Sequence, residues 1–206
     1  MPMKQLRIYP TSINDRFIEE AVDTLRDGNL LIYPTDTVYA IGCDALNNSA
    51  IERICAIKGV DPRKQTLSVV CADISQASAY ARIDNRAFAL MKQYMPGAVT
   101  FILPASTSLP KVFKGRKTVG VRVPANPVAI ALAKELGNPL LSMSARIDGG
   151  EAEEASEPDA VALAYDGKIG MMIDGGSCGG GLSTVVDLTD SSSPVVVRQG
   201  LVDFIQ

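Results

Sequence analysis

The chain has 206 residues, 47% of them hydrophobic and 21% charged, and its 20 Lys+Arg against 23 Asp+Glu give a formal charge of −3. That length suits one ordinary domain with a real core. Histidine is absent altogether, which rules out Ser-His-Asp and Cys-His nucleophiles, a histidine general base and every His-containing metal site.

Residues 6–9 read as a short strand. Residues 14–27 read as a helix with Phe17, Ala21, Val22 and Leu25 on one face and Gly28 as its stop. Residues 30–33 form a buried-type strand ended by Pro34. Asn48 or Ser49 caps a helix that runs through Ile51, Ile54 and Cys55 to Gly59. A strand follows at 67–71, and Asp73 and Asp84 open two further helices. Pro96-Gly97 is a turn before strands at 98–103 and 118–123. Asn126-Pro127 starts a helix that Gly137 ends. Residues 140–143 are a short strand, 144–157 an acidic loop, and Ser156-Glu-Pro the start of one more helix. Strands at 169–173, 184–188 and 194–198 close the chain, the first two separated by the glycine-rich run 175–181. Alternating strands and helices predict one α/β domain on a twisted mixed sheet.

Charge is distributed unevenly. Residues 53–122 carry 12 Lys/Arg against 3 Asp/Glu, whereas residues 147–190 carry one against ten. A middle third this cationic predicts an anion-attracting face, or else basic side chains spread over the surface opposite the acidic segments. Cys43, Cys55, Cys71 and Cys178 form no C-x-x-C pair and read as small reduced thiols, which points to the cytoplasm. The N-terminal residues lack an apolar signal core. No apolar run reaches the roughly 18 residues of a membrane span, so no membrane partner is expected.

Several stretches can carry chemistry. In Tyr33-Pro-Thr35-Asp-Thr37 a buried strand runs into two hydroxyls flanking a carboxylate, suited to a small polar ligand or to a self-satisfied turn. The cluster Lys58-Gly-Val-Asp-Pro-Arg63-Lys64 can hold a polyphosphate or remain a solvated basic loop. It is not a P-loop, since the chain has no G-x-x-x-x-G-K-[ST]. Alternation puts Thr118, Gly120 and Arg122 on one strand face, opposite Val119, Val121 and Val123. Arg122 in such a strand needs a partner, either a structural carboxylate or a ligand carboxylate. Ser142 and Ser144, Ser183, and Arg198 complete the set.

Taken together, Tyr-Pro-Thr-Asp-Thr-Val-Tyr-Ala-Ile-Gly-Cys-Asp-Ala at 33–45, Met-Pro-Gly-Ala-Val-Thr-Phe-Ile-Leu at 95–103, Val-Gly-Val-Arg-Val-Pro at 119–124 and Ser-Thr-Val-Val-Asp at 183–187 resemble the YrdC/YciO family. These are the threonylcarbamoyl-adenylate synthases and their relatives, and the resemblance covers nearly all of residues 1–206 and is nearer the YciO branch. It implies a single domain with a twisted mixed sheet flanked by helices around a positively charged cavity. It further implies the condensation of L-threonine, bicarbonate and ATP, with Mg²⁺, into threonylcarbamoyl-adenylate for tRNA t6A modification, and an association with double-stranded RNA or tRNA. By matching, Thr35, Thr37, Arg122 and Ser142 fall at the threonine and carbamate end. Lys58, Arg63, Lys64, Thr118, Ser144, Arg146, Ser183 and Arg198 fall around the nucleotide. No catalytic residue and no protein metal site is assigned, and a monomer or homodimer is expected.

Two positions depart from the family pattern. Val60 stands where active synthases carry the arginine of Lys-x-Arg, and Arg146 stands where they carry the asparagine of Ser-x-Asn. An amide's paired donor and acceptor are thereby replaced by donors only. The alternative reading is a non-catalytic protein that binds double-stranded RNA, or a regulatory one that binds nucleotide.

Overall fold

A computed structural model describes residues 2–114, 117–146 and 154–205. In chain order the elements are β1 (Lys4–Arg7), α1 (Asp15–Arg26), β2 (Leu31–Tyr33), β3 (Ala40–Asp44), α2 (Asn48–Ile57), β4 (Ser68–Val70), α3 (Ile74–Ser78), α4 (Asn85–Tyr94) and β5 (Val99–Pro104). They continue with α5 (Lys111–Lys114), β6 (Thr118–Arg122), α6 (Pro127–Leu136), β7 (Leu140–Ser144), a 3₁₀ turn at Glu154–Ser156, α7 (Pro158–Tyr165), β8 (Met171–Asp174), β9 (Thr184–Asp187) and β10 (Val195–Arg198).

Side-chain caps explain where the helices begin. Asn14, Asn47, Asp73, Asp84 and Asn126 each accept a backbone N–H of the following first turn. Pro127 supplies a preset first helical residue of α6, and Gly137 ends that helix at φ 82°, a left-handed conformation that costs a side-chain-bearing residue more.

The ten strands form one mixed sheet in the order β1-β8-β2-β3-β7-β4-β6-β5-β9-β10. The pairs β1/β8, β2/β8, β4/β6 and β5/β9 are parallel and the other five are antiparallel. The mixed sheet expected from the sequence is therefore present, flanked by helices. One face carries Ile32, Ile41, Val69, Phe101, Val121, Leu141 and Val186 against Ile51 and Ile54 of α2, Met91 of α4 and Val161 of α7. On the other face, Leu31, Tyr33, Leu140 and Ile173 pack under Val22 and Leu25 of α1 and Leu132 and Leu136 of α6. Strand alternation sends neighbours such as Leu31 and Ile32 to opposite cores.

Several sequence expectations need correction. The hairpin partner β3 was not anticipated, because its small residues read as an extension of the polar turn after Pro34. In the fold it pairs antiparallel with β2, and Gly42 sits so close to the Tyr33 ring that a Cβ there would lie 2.6 Å from Cε1. The short α5 was also unanticipated. Asn47, not Asn48 or Ser49, caps α2. The first strand begins earlier than residue 6. The 144–157 segment is not all loop: Ser144 ends β7 and Glu154–Ser156 is helical, while 147–153 lie outside the described residues. Ser156 closes that turn, and Glu157 precedes α7 without a side-chain cap bond. All four cysteines are free, three of them buried.

Candidate functional site

The face that α1 and α6 cover over β1, β8, β2 and β3 continues across β7, β4, β6, β5 and β9, and its composition changes there. The residues that alternate with the Val, Leu and Phe of the opposite core are Ser142 and Ser144, Ser68, Gly120 and Arg122, Thr100 and Ile102. All of these except Gly120 form the floor of a cavity of about 350 Å³, with Thr35, residues 37–40, Lys58, Val60, Ser183 and Arg198 in its walls. Eight of the twelve residues singled out from the sequence line it: Thr35, Thr37, Lys58, Arg122, Ser142, Ser144, Ser183 and Arg198.

Arg122 is held on three sides. Its Nη2 donates to Asp36 Oδ1 at 2.5 Å, Nη1 and Nη2 both donate to Thr37 Oγ1 at 3.3 Å, and Nε donates to the Gly97 carbonyl at 3.3 Å. The two charged side chains are only 12% and 13% exposed, so each compensates the other's desolvation. Of the two partners the sequence left open, the structural carboxylate is present, and sequence reasoning missed that Asp36 supplies it. Thr35 donates to the Val38 carbonyl at 2.7 Å and accepts the Thr37 N–H at 3.1 Å. With that proton committed, Thr37 is the donor in the 3.0 Å contact between the two hydroxyls. The pair thus forms a one-way chain that ends on a backbone carbonyl and holds the Arg122 fork.

Ser142 Oγ accepts from the phenol of Tyr33 at 2.8 Å. On the far wall, Arg198 Nε and Nη2 bracket the Ser183 carbonyl at 3.1 and 2.8 Å. Nη2 also reaches Ser183 Oγ at 3.1 Å, itself 3.2 Å from Thr100 Oγ1. Burial, then the nearby charges of Arg122 and Arg146, push the Arg198 guanidinium below its ordinary range, the mark of cations gathered in one place. Lys58 Nζ donates to the Arg146 carbonyl at 2.7 Å and to the Tyr165 hydroxyl at 3.1 Å. Val60 faces the cavity, so this departure from the family pattern lies inside the site.

Four sequence candidates do not line the cavity. Arg63 is turned back on its own loop, with its N, Nε and Nη2 on the Asp61 carboxylate at 2.9 to 3.1 Å and its side chain 85% exposed. Lys64 is exposed on the same loop. Neither restores the cation absent at Val60. Thr118 lies behind Thr66, hydroxyl to hydroxyl at 3.2 Å, and it is Thr66 that reaches the cavity. Arg146 presents its carbonyl to Lys58 and Tyr165 while its side chain stays at the surface. Gln65, Thr66, Ser68 and Thr100 are lining residues the sequence reading passed over. Alternation with Val99 and Phe101 was the available signal for Thr100, and pairing of Ser68 with Gly120 is visible only in the sheet register.

The glycine-rich run is wired to the same corner. Tyr39 accepts the Gly175 N–H at 3.0 Å and donates to the Gly176 carbonyl at 2.7 Å, and the Gly180 N–H donates to the Thr37 carbonyl at 2.7 Å. Beside it, burial pushes the Cys178 thiol up to about 11. Among the described residues no three Cys, Asp or Glu side chains converge as metal ligands.

The family model Sua5_yciO_yrdC, described as "Telomere recombination", matches residues 23–200. The uncharacterized protein YciO of Escherichia coli K12 is 41% identical over 198 residues, 95% of each chain. Its crystal structure superimposes with a TM-score of 0.90 over 98% of this chain and 97% of that one. The threonylcarbamoyl-AMP synthase of Bacillus subtilis is 37% identical over 192 residues, 92% of this chain and 55% of that protein. The crystal structure of Pyrococcus abyssi Sua5 complexed with L-threonine is 34% identical with a TM-score of 0.86, covering 96% of this chain and 58% of that one. This chain thus spans little more than half the length of either of those two proteins.

Proposed function

Since the chain belongs to the Sua5/YciO/YrdC family, we propose that its cavity condenses L-threonine, bicarbonate and ATP into threonylcarbamoyl-adenylate. The amine of threonine adds to the bicarbonate carbon and water leaves, giving a carbamate. A carbamate oxygen then attacks the α-phosphorus, and the bond to the β-phosphate breaks to release pyrophosphate. Two acceptor-rich anions must be held together at the correct distance for this, which is work for positioning and electrostatics and needs no histidine.

The observation that carries the reading is the convergence of Thr35, Lys58, Arg122, Ser142, Ser183 and Arg198, from distant parts of the chain, around one cavity. Arg122 would take the threonine carboxylate, with Thr35 and Thr37 acting through it by fixing its fork. Lys58, Ser144, Ser183 and Arg198 would face the nucleotide. The donor set does not fit a protein-held Mg²⁺. The ion would enter already bound to the triphosphate oxygens.

Val60 places an apolar wall beside Lys58, so the triphosphate would be gripped by fewer cations and turnover would be slow. Incubation with ATP, Mg²⁺, threonine and bicarbonate is expected to yield pyrophosphate and the adenylate by mass spectrometry. Absence of both, beside an active positive control, would overturn the reading. Double-stranded RNA contact is a second proposal, favoured by the excess of Lys and Arg over residues 53–122, of which Lys64 lies exposed outside the cavity. Retention of duplex RNA should fall steeply with added salt.

A further inference from the structure

Among the groups around the cavity, one polar contact has no role in the reading above. Tyr33 lies on β2, fully buried, and is the largest fully buried side chain together with Tyr39. Its phenol crosses under β3 to Ser142 on β7, the residue paired with Gly42 in the sheet. Gly42 leaves the space the ring fills, since a Cβ there would meet ring atom Cε1 at 2.6 Å and the Leu141 carbonyl at 3.2 Å. Burial pushes this phenol above its ordinary range, which favours the protonated form that donates to Ser142.

A serine hydroxyl has one proton to give and two lone pairs to receive with. One lone pair of Ser142 is already engaged by the buried phenol at 2.8 Å, and the hydroxyl lines the cavity. Its proton therefore has the cavity as its outlet. We infer that Tyr33 is a positioning residue that commits Ser142 to donate its hydrogen bond into the cavity, to an anionic oxygen of the bound ligand. Two sources share that chemistry, a carboxylate of the amino acid and a phosphate of the nucleotide. The inference rests on the ligand reading above and adds to it how the polarity of that wall is set.

The test is a double-mutant cycle read by calorimetry, with L-threonine and Mg²⁺·ATP titrated separately into wild type, Tyr33→Phe, Ser142→Ala and the double variant. Tyr33→Phe removes a single oxygen and keeps the ring. It is expected to weaken by about 10-fold the ligand whose oxygen Ser142 meets. Ser142→Ala is expected to weaken the same ligand to a similar degree. The double variant should bind within about 2-fold of Ser142→Ala alone, because the phenol acts only through that hydroxyl. A role confined to packing predicts a further full loss in the double variant, and that result overturns the inference. Unchanged affinity of Tyr33→Phe for both ligands overturns it as well. Wild type that binds neither ligand overturns the functional reading itself, an outcome distinct from both.

Discussion

Two halves of the same sheet face teach different lessons. Over β8 and β2 the outward residues are Ile173, Leu31 and Tyr33, and α1 and α6 bury them completely. Over β4, β6, β5 and β7 the same alternation presents Ser68, Arg122, Thr100 and Ser142 to a cavity. Backbone geometry is shared, so the difference lies in side-chain size and polarity. Apolar residues there would have drawn down another helix or a tighter strand crossing. Short hydroxyls and one paired guanidinium leave room and supply hydrogen-bond donors.

That contrast can be broken most severely on the covered side. Leu132→Ala in α6, where the side chain is fully buried, should cost about 2–5 kcal/mol in urea unfolding while leaving the affinity of the folded protein for ligand close to wild type. A ligand effect as large as the stability effect would show that the two halves are not independent.

On the open side, Arg122→Ala should weaken threonine binding at least 10-fold by calorimetry, with nucleotide binding changed little. Equal loss of both in a folded variant would remove the carboxylate role. The Asp36 carboxyl then loses its partner while nearly buried, so some destabilisation accompanies the change.

Gly120→Ala sharpens the comparison further. The new Cβ would lie 2.3 Å from Ser68 Oγ and 3.2 Å from the Ser68 Cα, a strain of about 1–3 kcal/mol. Thermal unfolding should show it with or without ligand, since the clash is between β6 and β4 and not with any guest. A midpoint equal to wild type would mean that Ser68 rotates away without cost.

The smallest effect is one of pH. Burial raises the Cys178 thiol from 9 to about 11, so the folded state keeps its proton longer than the unfolded chain does. The stability from this group is fully present below pH 9 and is lost as pH rises from 9 towards 11. The fall in urea midpoint over that window should be smaller in Cys178→Ser. Identical falls would show that the thiol does not contribute.

Legibility in the sequence followed physical type. Caps and stops were readable because Asp73, Asp84, Asn126 and Gly137 act within one turn of themselves. Alternation around Arg122 was readable for the same reason. The strand β3 was not, because Gly42 and Ala40 owe their place to Tyr33 and Ser144 across the sheet. Arg63 was misplaced because a basic loop looks the same whether its charge faces a guest or its own Asp61. The Asp36–Arg122 pair joins residues 86 positions apart, and no local pattern encodes that meeting.

The strand order also makes the molecule lopsided. β1 and β10 form opposite rims, nine inter-strand steps or roughly 43 Å apart at ~4.8 Å per step. Arg198 belongs to the β10 rim and reaches the cavity, while β1 is the outer edge of the helix-covered half. A fluorescent reporter at the β10 rim would therefore respond when the site fills, whereas the same dye beside β1 would register only tumbling. The choice of attachment point decides whether an optical assay on this protein sees occupancy at all.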